Sequence, residues 1–251
     1  METAPISAPH PRLSVIMPVF REGAAVIPII ESLVRVLGPS DELIVVYDFE
    51  EDPTVPFLRD LASVLPQLRP LLNDRGRGVL NALKAGIAAA TGQYVLITMA
   101  DGSDDLTSLS AMLDAAAAGA AVVAASRYMK GGRQVGAPFF KSLLSRVAGL
   151  SLYAVGALPI HDPTNNFKLY ARDFLVQTEI ESRGGFELAL ELTVKAQLAG
   201  LTLAEVPTSW QERSQGQSNF KIRAWLPQYL HWYWLVLLAR LRRFRFGLKR
   251  P

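Results

Sequence analysis

Three carboxylates crowd the segment MADGSDD, namely Asp101, Asp104 and Asp105. Hard divalent cations such as Mg2+ or Mn2+ bind such oxygens and bridge to phosphates. Acids are also favourable at a solvated helix N-terminus without any ligand. Asp101, nearest the apolar run YVLITM, is the ligand candidate, and Asp105 is the capping one. Asp48 follows another apolar run, in VVYDFEEDPT. It can accept hydrogen bonds from a base or ribose, or simply make a turn, and Asp52 can cap the next helix. In NDRGRGVLNALKAG, Gly76 and Gly78 open a helical stretch beside Arg75 and Arg77. Backbone N–H groups there suit an anion, although an ordinary tight turn would show the same letters. Arg127 in ASRYMKGG and Arg213 in QERSQGQS offer planar forks that clamp phosphate, or that form surface ion pairs.

These groups need elements to hold them. The runs Leu13–Val19, Glu42–Tyr47, LRPLL, Tyr94–Met99 and AAVVAAS read as strands, the first of them buried and the third short. Helical stretches separate them, in AAVIPIIESLVRVL, PFLRDLASVL, GVLNALKAGIAAAT and LTSLSAMLDAAAA. Continuous apolar strands alternating with helices predict a mostly parallel α/β sheet covered on both faces. Ligands of such sheets sit at the carboxyl ends of the strands, just after Met17, Tyr47, Met99 and Ser126 here. Beyond Ser126 the rhythm changes to a loop, a long helix near Phe139–Val155, the stretch DPTNNFKLY, a short helix and EVPTSWQERSQGQSNFK.

The chain has 251 residues, no cysteine and a formal charge of +3. A disulfide framework and thiolate metal sites are thereby excluded. The charge is local: Arg240, Arg242, Arg243, Arg245, Lys249 and Arg250 follow one another without an acid, and the remainder is net negative. Residues 1–12 read as a flexible leader, without the apolar core of a signal peptide. Ala224–Ala239 is shorter than the roughly 20 residues a spanning helix needs and carries Pro227, Gln228 and His231. Trp225, Tyr229, Trp232, Tyr233 and Val236 recur on it at helical spacing. With the basic tail they predict an amphipathic, interfacial, membrane-associating segment over 222–251, behind a catalytic domain over 13–221.

Seven stretches in order, from Leu13 to about Lys221, resemble family 2 glycosyltransferases of the GT-A (Rossmann-like) fold, most of all the dolichyl- and polyprenyl-phosphate mannose synthase branch. PVFRE resembles P-x-Y-N-E, YDFEEDPT resembles D-D-x-S-x-D-G-T, and NDRGRGVLNALKAG the G-x-G helix opening. MADGSDD stands at D-A-D-x-Q, SRYMKGG at S-R-Y-x-x-G-G and DPTNNFKLYAR at D-P-x-S-G-F-x-x-x-x-R. EVPTSWQERSQGQSNF resembles E-V-P-I-x-F-x-x-R-x-x-G-x-S-K. The resemblance implies that Pro18, Phe20, Glu22 and Asp48 hold the base and ribose, and that Arg127 and Arg213 manage phosphates. Lys141 and Ser145 would receive a lipid phosphate, with Asp162 and Asn165 bordering the acceptor. Mg2+ or Mn2+ would sit on Asp101, with Ser103 in the place of the usual Gln and Asp104 as a substitute ligand. The chain departs from the pattern at Met99, Ser103, Tyr47, Asn166 and Asn219.

The implied activity is inverting transfer of a sugar from a nucleoside-diphosphate sugar to a polyprenyl phosphate or other lipid acceptor. Its place would be the cytoplasmic face of a membrane, peripherally bound, with a membrane protein as a further partner and no nucleic acid. Three alternatives stand beside it. One is transfer to a hydroxyl acceptor with Asp162 as general base. Another is a catalytically silent nucleotide-sugar-binding subunit. The third is a nucleotidyltransferase, whose Gly-rich basic loop PVFREG lacks.

Overall fold

In the computed structural model, residues 11–136, 139–185, 187–212 and 222–246 are described. Strands and helices alternate through β1 (Leu13–Pro18), α1 (Val26–Val36), β2 (Glu42–Tyr47), α2 (Val55–Ala62), β3 (Leu68–Leu72), α3 (Val79–Ala89), β4 (Tyr94–Ile97), α4 (Leu109–Ala117) and β5 (Val122–Ser126). Every residue of β1, β4 and β5 is buried, because helices cover both faces of the sheet. Val26, Ile30 and Leu33 repeat at helical spacing and seat α1 on one face with α2 and α4. Leu80, Leu83 and Ile87 seat α3 on the other.

The second half runs β6 (Arg133–Val135), α5 (Phe139–Ala154), β7 (Lys168–Ala171), α6 (Arg172–Gln177), α7 (Leu188–Leu198), β8 (Leu203–Pro207), β9 (Ser209–Gln211) and α8 (Ile222–Phe246). Among the described residues seven strands make one sheet, ordered β3-β2-β1-β4-β7-β5-β8, and β6 pairs with β9 beside it. β7 enters between β4 and β5 antiparallel to both. Because Ile97 and Ala124 both lie opposite Lys168, the loop leading into β7 falls at the carboxyl ends of β4 and β5. One reversed strand thus carries residues 162–167 to the edge where parallel sheets bind ligands.

Strand β7 is four residues long and follows an Asn-rich turn, and α7 is buried all round, so neither shows an amphipathic period. A third core cluster joins α5, α7 and α8 through Leu152, Leu190, Val194, Trp232 and Val236. That corrects the expected membrane stripe: Trp232 and Val236 are only 4% and 3% exposed, and Tyr229 and Tyr233 pack against the same cluster. The side chain of Trp225 lies outside the described residues, as do Met1–His10 of the leader and 247–251 of the tail. No helix among the described residues is long and apolar enough to cross a membrane.

Candidate active site

The carboxyl edge opens into a cavity of about 960 Å3. Pro18, Phe20, Glu22 and Asp48, the residues that the resemblance puts around the base and ribose, all line it. Phe20, 50% exposed, meets Phe49 edge-on at 6.1 Å, and the Arg77 guanidinium lies 4.6 Å from the Phe49 ring centre. Aromatic faces and a guanidinium plane form a platform on which a flat ring can stack.

Asp48 does more than turn the chain. Its Oδ1 accepts from Asn73 Nδ2 at 2.8 Å and its Oδ2 from the Gly78 N–H at 2.9 Å, tying the end of β2 to the loop before α3. Gly78 has φ +121°, a conformation that strains any side-chain-bearing residue. Its N–H is taken by Asp48, and Gly76 instead offers its carbonyl to Asn73, so the expected anion cradle at this helix mouth is a carboxylate-pinned loop. Asp52, expected to cap α2, accepts from the backbone N–H groups of Thr54 and Arg21, at 2.8 Å each.

The acidic segment after β4 is organised by two short networks. Asp101 Oδ1 accepts from Ser103 N at 3.1 Å and Ser103 Oγ at 2.6 Å. Asp104 accepts from Thr98 Oγ1 at 2.8 Å. Burial, with the neighbouring Asp101 charge, pushes the Asp104 carboxyl up to about 7 against the pull of Thr98. Asp105 caps the turn before α4 through Thr107 N, as its position suggested. Among the described residues no group of three His, Cys, Asp or Glu gathers. The donor set nevertheless fits a hard cation shared with a ligand: Mg2+ takes one or two carboxylates and completes its shell from phosphates and water. Asp101 with Asp104 matches that pattern, and a divalent cation would relieve the repulsion between them. Ser103 spends its hydroxyl on Asp101, and Met99 has no hard oxygen to give.

Arg127 stands at the centre. Its backbone N–H and Nε donate to Asp162 Oδ2 at 3.1 and 2.6 Å, and Nη2 to Oδ1 at 3.0 Å. Their side chains are 10% and 0% exposed. Burial alone would push the Asp162 carboxyl up, but Arg127 holds it below the usual range. Asp162 therefore sits behind Arg127, away from the cavity wall, with both oxygens engaged. This removes the general base that a hydroxyl acceptor would need from it. Ser145 of α5 accepts from Tyr128 at 2.9 Å and lies 2.7 Å from Thr164 Oγ1, so the helix is fastened to this loop. A side chain at Gly149 would come within 2.3 Å of the His161 carbonyl, which explains the glycine where α5 crosses the loop. Asn165 is turned inward, its Nδ2 donating to the Ala125 carbonyl at 2.9 Å.

Lys168 was not foreseen. Fully buried, it donates to the carbonyls of Asp162, Pro163 and Asn165 and fixes the loop that carries Asp162. Burial pushes its ammonium down to about 7 despite the Asp162 charge. A lysine inside the apolar run FKLY is itself the signal, since a charge on a buried strand must find partners. Lys141 lies on α5 with its side chain outside the described residues, and Arg213 lies outside them altogether. Between α5 and α8 the cavity wall is mostly apolar, with Leu144, Val147 and Leu152 of α5 and Leu226, Tyr229 and Leu230 of α8, and it includes Ser151 and Tyr233, which hydrogen-bond to each other at 2.9 Å.

The mixed, mostly parallel sheet flanked by helices is a GT-A fold, shared with solved structures. Glucosyl-3-phosphoglycerate synthase from Mycobacterium tuberculosis, solved with uridine diphosphate, superposes with a TM-score of 0.64 at 18% identity, over 92% of this chain and 80% of that one. The same enzyme has been solved with Mn2+, uridine-diphosphate-glucose and phosphoglyceric acid. The model of glycosyl transferase family 2 matches residues 14–177, and the chain belongs to that family. The polyprenol monophosphomannose synthase of Mycolicibacterium smegmatis is 30% identical over 86% of this chain and 88% of its own length. The dolichol-phosphate mannosyltransferase of Pyrococcus furiosus is 25% identical over 90% of this chain and 64% of its own.

Proposed function

We propose that this family 2 glycosyltransferase moves a hexose, mannose by analogy with its relatives, from a nucleoside-diphosphate sugar to a polyprenyl phosphate at a membrane surface. The observation that carries the reading is one cavity with two chemistries. Carboxylates and Arg127 stand at the strand ends, and an apolar arm runs between α5 and α8. A polar acceptor would leave that arm without a role, whereas a prenyl chain fills it by burying apolar surface. The names of the relatives, which act on polyprenol or dolichol phosphates, support the same acceptor.

In the reaction a phosphate oxygen of the acceptor attacks the anomeric carbon. The bond from that carbon to the diphosphate oxygen breaks with inversion, and the nucleoside diphosphate leaves. The acceptor is already anionic at neutral pH, so no base is required, which agrees with the engaged state of Asp162. Phe20, Phe49 and Arg77 would stack the base, Asp48 would order the loop beside it, and Arg127 would orient phosphate oxygens. Mg2+ or Mn2+, held by Asp101 with Asp104, would neutralise charge on the leaving diphosphate. Incubation with a panel of labelled nucleotide sugars and polyprenyl phosphate tests the proposal: glycolipid and free nucleoside diphosphate should form together. Turnover on a hydroxyl acceptor alone would overturn it, and nucleotide binding without any transfer would point to a silent subunit.

A further inference from the structure

His161 stands directly before Asp162, and its main chain, ring and carbonyl are all held. Its backbone N–H donates to Glu205 Oε2 at 2.8 Å, and its ring Nδ1 meets Oε1 of the same carboxylate. An ionised carboxylate only accepts, so Nδ1 carries the proton of this bond. The ring lies flat on Tyr153 of α5, with centroids 3.8 Å apart and planes 22° apart. The His161 carbonyl faces Gly149 of the same helix, at a spot too close for any side chain. Glu205 is itself fixed, because β8 pairs with β5 and sets it opposite Ala124. Leu158 and Ile160, just before His161, are buried in the cluster that joins α5, α7 and α8. A carboxylate that receives both a backbone and a ring N–H from one residue fixes that residue's main chain as well as its side chain.

We propose that His161 is a positioning residue of the transfer reaction: its clasp with Glu205 sets Asp162, and through Asp162 the plane of the Arg127 guanidinium. The two residues are adjacent, so a rotation of the peptide between them displaces the Asp162 carboxylate. Arg127 takes its direction from that carboxylate, with side-chain bonds of 2.6 and 3.0 Å, whereas its bond to Ser145 Oγ is a long 3.4 Å. Lys168 holds the stretch after the aspartate, through the carbonyls of Asp162, Pro163 and Asn165. His161 holds the stretch before it, so the flanks of Asp162 are fixed from both sides. Without the clasp the carboxylate keeps its charge and loses its place. Attraction for the donor then stays as it is, while the aim at phosphate oxygens suffers. A misplacement of about 1 Å at such a group costs up to about 10²-fold in rate. The contacts with Tyr153 and Gly149 also join the aim of Arg127 to the helix that carries Ser145. One arm of the test rests on the glycosyl-transfer reading, and the other needs no substrate.

Two amide substitutions differ only in reach. In His161→Asn the side-chain NH2 falls where Nδ1 stands, and in His161→Gln it falls one bond further out, near the place of Nε2. Full-length variants are compared with wild type for melting, and for kcat and donor KM in transfer to polyprenyl phosphate. The Arg127 Nε–H resonance is followed in proton–nitrogen correlation spectra without substrate, assigned by its loss in Arg127→Lys. His161→Gln should lower kcat about 10–100-fold, leave donor KM within about twofold of wild type, and shift the Arg127 resonance. His161→Asn should recover most of the rate and return the resonance toward its wild-type place. Both variants keep a polar side chain at a partly exposed position, and rates are read well below their melting temperatures. Equal rates in the two amide variants overturn the proposal, whether both match wild type or both are reduced. So does a fall in kcat with the Arg127 resonance unmoved, because His161 then acts elsewhere. A raised donor KM at unchanged kcat overturns it too. If the wild type transfers no sugar to polyprenyl phosphate, the function reading fails alone, and the resonances of the two variants still decide the clasp.

Discussion

Asp162→Asn isolates the most tightly built contact of the site. The exchange is nearly isosteric, yet it removes one charge from a pair whose members are 10% and 0% exposed, so solvent screening is small. The carboxylate accepts three bonds from Arg127 and a fourth from Thr164 Oγ1 at 3.2 Å. An amide keeps one acceptor oxygen and turns an NH2 group toward the remaining donors. Bonds to charged groups contribute about 1.5–3 kcal/mol each, and breaking one partner of a buried pair costs about 3–5 kcal/mol. For a chain of this length each kcal/mol moves the melting temperature by about 2–4 °C, so a fall of about 6–20 °C is expected. Urea denaturation gives the same quantity as a lower midpoint at unchanged slope. Because the loss comes from an uncompensated guanidinium, Arg127→Gln added to Asp162→Asn should recover part of it. A single variant melting within about 2 °C of wild type would refute the reasoning. So would a double variant that simply adds two losses.

Asp101→Ala should lower turnover by about 10²–10³-fold or more while melting changes little, because its side chain serves the cavity and not the core. Binding of Mn2+, read by calorimetry in the presence of nucleoside diphosphate, should weaken in parallel, and an unchanged Mn2+ affinity removes Asp101 from the metal site. Asp104 gives a pH signature. Burial pushes its carboxyl up from the ordinary 3.8 to about 7, so the folded state holds the proton more tightly. That contribution to stability is complete below pH 3.8 and is lost as pH rises towards 7. Melting of wild type relative to Asp104→Asn should therefore decline across pH 4–7. A difference that is flat with pH would show that Asp104 ionises normally.

What the sequence made legible is the half of the fold whose elements each carry their own period. β1, β2, β4 and β5 are largely apolar runs and the helices between them amphipathic stripes, and they appear where the runs lie, with the short β3 at the sheet edge. Asp48, Asp101 and Arg127 follow from that frame, since each is the first strongly polar residue after a buried strand. Strand β7 was hidden because four residues after an Asn-rich turn have no period of their own, and its place between β4 and β5 is set by tertiary pairing. Lys168 and the depth of Asp162 went with it. The stripe on α8 misled for a related reason. Spacing shows that a helix has an apolar face, and Trp232 and Leu230 are equally good members of one; which face meets the core depends on where α7 lies. Asn73, which locks Asp48, is an unremarkable turn residue until β2 and β3 are laid side by side.

The Arg127–Asp162 pair also bears on how two anions can share one cavity. A nucleoside diphosphate and a lipid phosphate repel each other, and an ion pair of zero net charge offers little to offset that at long range. Arg127 gives Nε and Nη2 to Asp162, and its Nη1 makes no bond to the protein among the described residues. What remains for a phosphate is direction: two N–H donors held in a fixed plane by a carboxylate that cannot move. Attraction must then come from other groups, a cation on Asp101 and the basic residues around it. Removing the Asp162 charge should accordingly separate the two roles. Among molecules that remain folded, the Asp162→Asn cavity gains a net positive charge and should bind nucleoside diphosphate more tightly, so KM for the donor falls. The released guanidinium is no longer aimed, so kcat falls as well. A variant with raised KM and unchanged kcat would mean that Asp162 shapes the donor site itself, and that Arg127 is not the group it positions.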